Sequence, residues 1–320
     1  MVIIHIDEAW GVNYHRLITP FMLIERKYGI PMYWIEMLTE LKNIHLDKVD
    51  TLVVSRKLSV TNHFEFKKML VNNGIKLILD LDDYWELNEG NPAKAIYDTY
   101  VGPDCVETIK IADVIWVASR YLGKQARKIN PTAEIVFINN AIDVEDVQWA
   151  KFTKKKSKEL RFGYTGATSH LEDLRSIGYD FKDEYTTCLD IKEFKELLNP
   201  NKTFGWYNIW SYAKAYESID VSLAPLGKNK FNWCKSDLKV TEAAFTKTAI
   251  IATNTKPYSL SIKDGETGIL CNNPKDWREA VKGLTKAKAK QLGENLYEDL
   301  RDHPDYDISA INEIRVKYLK

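Results

Sequence analysis

Cysteine is scarce in this chain, and the scarcity removes whole classes of protein. The four cysteines, Cys105, Cys188, Cys234 and Cys271, are widely spaced and form no CxxC pair. Neither a disulfide framework nor a zinc site is expected, and a reducing cytoplasm suits such a chain. No apolar run approaches the ~20 residues of a membrane-spanning helix. The opening MVIIHIDEAW is too short in its apolar part and too acidic for a secretory leader, so it reads as a first strand. HExxH, GxSxG and the GxxxxGK[ST] phosphate loop are missing as well. Charge of one sign is also missing: 45 Lys+Arg balance 45 Asp+Glu. That balance argues against nonspecific polyanion binding as the main activity while leaving a local basic groove open.

What is present is an ordinary globular composition with many aromatics. The 320 residues are 45% hydrophobic and 28% charged, with nine Trp and seventeen Tyr. That length accommodates one large or two ordinary domains. Short β-branched runs alternate with helical stretches through the first half. Expected strands are Val2–Ile6, Pro31–Ile35, Thr51–Ser55, Lys76–Leu81, Val114–Ser119 and Ile135–Asn139, with helical segments such as His63–Asn73 and Tyr121–Ile129. Continuous apolar runs of this kind belong to strands buried on both faces, and their alternation with helices implies a parallel sheet. Residues 151–158, KFTKKKSK, carry four lysines in the last five positions and read as a solvated linker. The alternation then restarts with LRFGYTG (160–166), VSLAPL (221–226), AIIAT (249–253) and GILC (268–271). The expected organisation is an α/β domain over 1–145, a linker over 146–158, a second α/β domain over 159–285 and a charged helical tail over 286–320. That tail would pack back on the first domain. Ligands of open α/β sheets bind beyond the carboxyl ends of the strands, where the motifs should be sought.

Two stretches carry suitable chemistry. In RFGYTGATSH, Gly163 and Gly166 bracket a strand-to-helix turn that brings backbone N–H groups near a ligand. Thr168 or Ser169 would cap the next helix, and His170 would donate to a phosphate oxygen. A plain capped turn with an exposed histidine is the competing reading. In NWCKSDLKVTE (232–242), Lys235, Lys239 and Glu242 would gather at the mouth of one helix, capped by Ser236 or Asp237. Lys239 and Glu242 are three apart on one face. Two cations and a carboxylate suit a diphosphate joined to a ribose diol; a solvated helix with an ion pair is the bland alternative.

In order, IVFINNAID (135–143), RFGYTGATSH, SIDVSLAPL and KSDLKVTEAAFTKTAIIATNTKPYSLSIKDGETGILC resemble the donor half of retaining GT-B glycosyltransferases. The resemblance covers roughly residues 110–285. It implies two Rossmann-like domains facing across a cleft, a nucleoside-diphosphate sugar (UDP- or GDP-linked) as donor, and no metal or other cofactor. It also implies Lys239 on the diphosphate and Glu242 on the ribose; by the reading of the two stretches themselves, Gly166, Thr168, His170, Lys235 and Ser236 would gather around them. Two departures stand out: Cys234 occupies a place where many members carry a second Glu, and Lys247 or Thr248 occupies that of a usual Gly. The amino-terminal half resembles compact bacterial and phage members through Tyr14, His15, Arg16 and Pro20 and an acidic cluster after a strand.

That cluster, LILDLDDYW, contains Asp80, Asp82 and Asp83. It reads as a metal-holding DxD, as a nucleophilic Asp of a magnesium-dependent phosphohydrolase, or as the acceptor side of a GT-B cleft. The third is preferred, with one Asp orienting or deprotonating the acceptor hydroxyl and Tyr84 and Trp85 stacking on a sugar or base; a helix cap beside a core Trp competes. Trp10 and Gly11, with Asp7 and Glu8, follow the first strand and would help hold the acceptor, as would His15 and Arg16. The leading expectation for the acceptor is a hydroxymethylated base of phage DNA, with which Trp85, Arg16, His15 and residues 151–158 are compatible; a glycan, lipid, protein or small molecule is the alternative. A noncatalytic nucleotide-sugar-binding module is the rival from another class.

Overall fold

The computed structural model describes residues 1–6 and 11–319. The chain divides into two compact units. Unit 1 comprises Met1–Ala141, Trp233–Ser236 and Asp307–Lys320; unit 2 comprises Ile142–Asn232 and Asp237–Tyr306.

Unit 1 is built on a six-stranded sheet of β1 (Val2–His5), β2 (Met32–Ile35), β3 (Thr51–Ser55), β4 (Lys76–Leu81), β5 (Val114–Val117) and β6 (Glu134–Phe137), in the order β2-β1-β3-β4-β5-β6. Every pairing is parallel, so each connection crosses back over a face through a helix. The continuous apolar runs follow from that coverage. Val2 and Ile4 of β1 and Val53 of β3 enter one core with Leu17, Phe21 and Trp116. Ile3, Leu52 and Val54 enter the core on the opposite face with Leu58, Leu70 and Leu77. The alternation of successive side chains across the sheet is the reason. The helix Ile308–Val316 adds Ile308 and Ile311 to the first of these cores.

Unit 2 repeats the plan with β7 (Arg161–Tyr164), β8 (Tyr185–Leu189), β9 (Lys202–Phe204), β10 (Val221–Ala224), β11 (Ala249–Thr253) and β12 (Ile269–Cys271), in the order β12-β11-β10-β7-β8-β9, all parallel. Ala249 and Ile251 face one core, Ile250 and Ala252 the other. Strands β8 and β9 were not foreseen. YTTCL hides a central strand behind two threonines, Thr186 and Thr187, both buried. The Thr186 hydroxyl reaches the Leu198 carbonyl at 2.8 Å and is thereby satisfied. The segment 286–320 is divided: the helix Lys286–Leu300 belongs to unit 2 and Ile308–Val316 to unit 1. A short helix, Val147–Ala150, occupies part of the stretch read as linker.

Candidate active site

In unit 2 the candidate residues gather around the loop after β7. Gly163 and Gly166 are needed for packing. A Cβ on Gly163 would lie 2.3 Å from Ile219, and one on Gly166 would lie 2.1 Å from the Tyr164 hydroxyl. The absent side chains let Ile219 and the buried Tyr164 ring close against the turn. Thr168 does not cap a helix. It lies exposed in the turn Thr168–His170, which Ala167 opens without a side-chain cap. His170 is fixed through its Nδ1, 2.7 Å from Asp173 Oδ2. The other Asp173 oxygen accepts from the Gly227 N–H at 2.6 Å and the Asn232 amide at 2.8 Å. Asp173 thus ties the β7 loop to the loop after β10 and orients the imidazole. Asp173 lies three residues beyond His170, a helical spacing that could have revealed this pair.

Lys239 and Glu242 share the helix Leu238–Phe245, as expected. The Lys239 ammonium is 3.4 Å from Thr165 Oγ1 and 5.5 Å from the centre of the Tyr164 ring. Glu242 is buried at 4% exposure and accepts a 2.8 Å hydrogen bond from Tyr216. Burial pushes the Glu242 carboxyl above the usual carboxylate range, opposed by Lys239 and the Tyr216 hydrogen bond. Burial also raises the Tyr216 phenol, with Glu242 adding to it. The Tyr216 and Thr165 hydroxyls are 3.2 Å apart, and Tyr212 donates to the Thr165 carbonyl at 3.2 Å. Thr165, Tyr212 and Tyr216 were not singled out in the sequence. They join the β7 loop to Lys239 and Glu242 in one hydrogen-bonded group at the carboxyl edge of the sheet. The loop after β9 precedes the two tyrosines and carries Trp206 and Trp210, 72% and 50% exposed.

Lys235 and Ser236 directly precede the segment that carries Lys239 and Glu242. Both belong to unit 1, where Lys235 lies 3.0 Å from Asp83 and Ser236 accepts from the Asn140 amide at 2.7 Å. Cys234 is fully buried there, its carbonyl accepting from the Ser119 hydroxyl at 2.6 Å. Asp237 opens the helix without a side-chain cap; its carboxylate accepts from Tyr306 and Ser261 instead.

The acidic cluster of unit 1 has a structural role at two of its three positions. Asp80 takes a bidentate pair from Arg16, at 2.8 and 2.7 Å, and both side chains are buried. Arg16 also donates to the Ile138 carbonyl at 2.7 Å and to Asn140 Oδ1 at 3.2 Å. The π-helical turn Tyr14–Ile18 directs it inward. His15 is equally buried, with Nδ1 3.4 Å from the Ala141 carbonyl. Asp82 is buried on Arg56, at 3.1 and 2.7 Å. Asp83 alone keeps appreciable exposure, between Arg56 at 3.5 Å and Lys235 at 3.0 Å. A buried carboxylate saturated by a guanidinium is a poor nucleophile or base, so Asp80 and Asp82 do not fit the roles expected of them. Among the described residues no group of three or more His, Cys, Asp or Glu forms a metal site. Tyr84 and Trp85 are 3% and 6% exposed and packed on each other, which leaves no ring face for a sugar or base. Gly11 is exposed at the start of a short helical turn. Trp10, with Asp7 and Glu8, lies outside the described residues.

No protein-family model and no curated protein sequence matches the chain. Solved structures do. Anabaena Alr3699/HepE, in complex with UDP and glucose, aligns over 99% of this chain and 98% of its own at 10% identity and TM-score 0.64. A glycosyltransferase from Rickettsia africae aligns over 100% and 97%, at 13% identity and TM-score 0.63. S. aureus TarM, in complex with Fondaparinux, alpha-GlcNAc-glycerol and UDP, aligns at 13% identity and TM-score 0.60. The match covers 88% of this chain, which spans 57% of the TarM chain. The class the two sheets define is the GT-B glycosyltransferase fold, two Rossmann-like units in one chain. Among the described residues no helix is long and apolar enough to cross a membrane.

Proposed function

We propose that the chain is a glycosyltransferase that moves a sugar from a nucleoside-diphosphate sugar, UDP-linked by analogy with HepE and TarM, to an acceptor hydroxyl. The observation that carries this reading is the group around Thr165, where a lysine and a buried carboxylate share one helix face against the loop after β7. Breaking the anomeric C–O bond leaves an oxocarbenium-like sugar and a diphosphate that gains charge. Lys239 and His170 stabilise that leaving group, and the loop backbone contributes N–H donors. Glu242, held by Tyr216, accepts from the ribose hydroxyls, and Trp206 or Trp210 stacks on the flat nucleobase. Asp173 acts indirectly, by holding His170 in register. Retention of configuration and independence from a metal belong to the proposal through the resemblance in motif order.

A glycan or small-molecule hydroxyl is the favoured acceptor. An extruded DNA base would need an open aromatic face, and Tyr84 and Trp85 are buried. A thermal-shift panel of UDP, GDP and their sugars, with and without chelator, tests the binding half. Ligands that bind the folded state raise its melting temperature with concentration. No response to any nucleoside diphosphate overturns the reading. Sugar release from the stabilising donor then separates an enzyme from a noncatalytic binder, which releases none.

A further inference from the structure

At the amino-terminal edge of the unit 2 sheet lies a chamber of about 690 Å³. Lys247 and Asp220 line it, and Ala249 and Val221, the first residues of β11 and β10, follow closely on them. The strands are parallel, so this edge lies opposite the one that carries Thr165 and Lys239. Strands of this length separate the two edges by roughly 13–17 Å.

The wall is aromatic, formed by Trp149, Phe152, Phe245 and Tyr297, and the polar lining is dominated by lysine. Two lysines are compensated: Lys290 lies 3.7 Å from Glu294, and Lys286 3.6 Å from Asp220, which is bidentate on Arg161. Two are not. Among the described residues Lys154 and Lys247 form no ion pair. Lys154 Nζ donates to the Lys247 carbonyl at 3.0 Å, and Lys247 Nζ lies 4.5 Å from the centre of the Tyr297 ring. Burial pushes the Lys154 amine down to about 8, with Asp220 opposing and Arg161 and Lys286 adding to the fall. Lys247 sits at φ +48°, a left-handed conformation in which glycine is relaxed and lysine is strained. The helix Lys286–Leu300 presses on that turn, since a Cβ on Gly293 would meet the Lys247 carbonyl at 2.5 Å. The strained position places a cation at the chamber wall, and a partly desolvated amine waits beside it.

We propose that this chamber is a second ligand site that takes a small aromatic phosphate dianion, its ring against Phe152, Phe245 and Tyr297 and its phosphate on Lys154 and Lys247. Two uncompensated cations match a dianion, and the volume suits a ligand of one or two rings. The site is separate from the donor loop and does not depend on the reading of that loop.

The test is calorimetric titration of the full chain with 1-naphthyl phosphate at fixed ionic strength. The expected result is saturable binding at one molecule per chain, with unchanged affinity when UDP is saturating. Inorganic phosphate alone and 1-naphthol alone should each bind at least tenfold more weakly. Lys154→Met and Lys247→Gly should each weaken binding at least tenfold. Lys247→Gly, which relaxes the turn, should keep or raise the melting temperature, so its loss of binding cannot be unfolding. Absence of saturable binding, equal affinity for naphthol or phosphate alone, equal affinity in both variants, or displacement by UDP overturns the proposal.

Discussion

Replacing Asp80 by Ala separates a structural carboxylate from a chemical one. Arg16 and Asp80 are 0% and 2% exposed, and the guanidinium makes two parallel hydrogen bonds to the carboxylate. Removing the carboxylate leaves Arg16 charged inside the protein, its remaining acceptors among the described residues being the Ile138 carbonyl and Asn140. A second arginine worsens the imbalance. Arg315 donates to the Arg16 carbonyl at 3.1 Å, and its guanidinium is pushed down to about 9 by burial and by Arg16. Breaking a buried pair from one side costs about 3–5 kcal/mol. At roughly 2–4 °C per kcal/mol for a unit of this size, the melting temperature of unit 1 should fall by about 6–20 °C. Differential scanning calorimetry reads that shift, and UDP affinity, measured below the transition, should be unchanged. The paired change Arg16→Met with Asp80→Leu should recover part of the loss, because an apolar pair of similar volume avoids the desolvation of both charges. If Asp80→Ala keeps its melting temperature within about 2 °C and abolishes sugar transfer, the structural assignment is wrong.

Gly166→Ala places a methyl 2.1 Å from the Tyr164 hydroxyl, so it should cost about 1–3 kcal/mol in a denaturant titration, and adding Tyr164→Leu should relieve most of it. Trp206→Ala, at a 72% exposed position, should leave the melting temperature unchanged while weakening UDP by about 1–3 kcal/mol if that ring stacks on the base; the same change at Trp210 tests the alternative ring. Lys154 titrates near 8 when folded and near 10.5 when unfolded, so the unfolded chain binds more protons between those values and stability rises with pH across that window. The stability advantage of Lys154→Met over the natural chain should therefore be largest at or below pH 8 and shrink towards pH 10.5; a constant difference would contradict the buried charge.

The double α/β plan was legible because strands covered on both faces leave unbroken apolar runs, as in TLVVS and AIIAT. Strand β8 escaped because two of its four buried positions are Thr186 and Thr187, whose hydroxyls are polar in sequence and buried in the fold, which leaves only Cys188 and Leu189 as an apolar run. Lys239 and Glu242 were legible as neighbours three apart on a helix, and His170 as part of a strand-to-helix turn. Lys235 shares a run of sequence with Lys239 and Glu242, but the division between the two units falls just after it. Its segment, Trp233–Ser236, is held in unit 1 by Ser119, Asn140 and Asp83. The LDLDD run looked chemical because charge density says nothing about partners, and Arg16 and Arg56 are distant in sequence. Tyr212 and Tyr216 gave no signal, since their role depends on a loop more than forty residues away.

The most direct test of the central claim is calorimetric titration of UDP into the natural chain, Lys239→Met and Glu242→Gln. The account predicts 1:1 binding by the natural chain. It predicts losses of about 1.5–3 kcal/mol, roughly 10–150-fold in Kd, in each variant, measured below that variant's own melting transition. Equal affinity in all three proteins, or no binding of UDP or GDP to any of them, would contradict it.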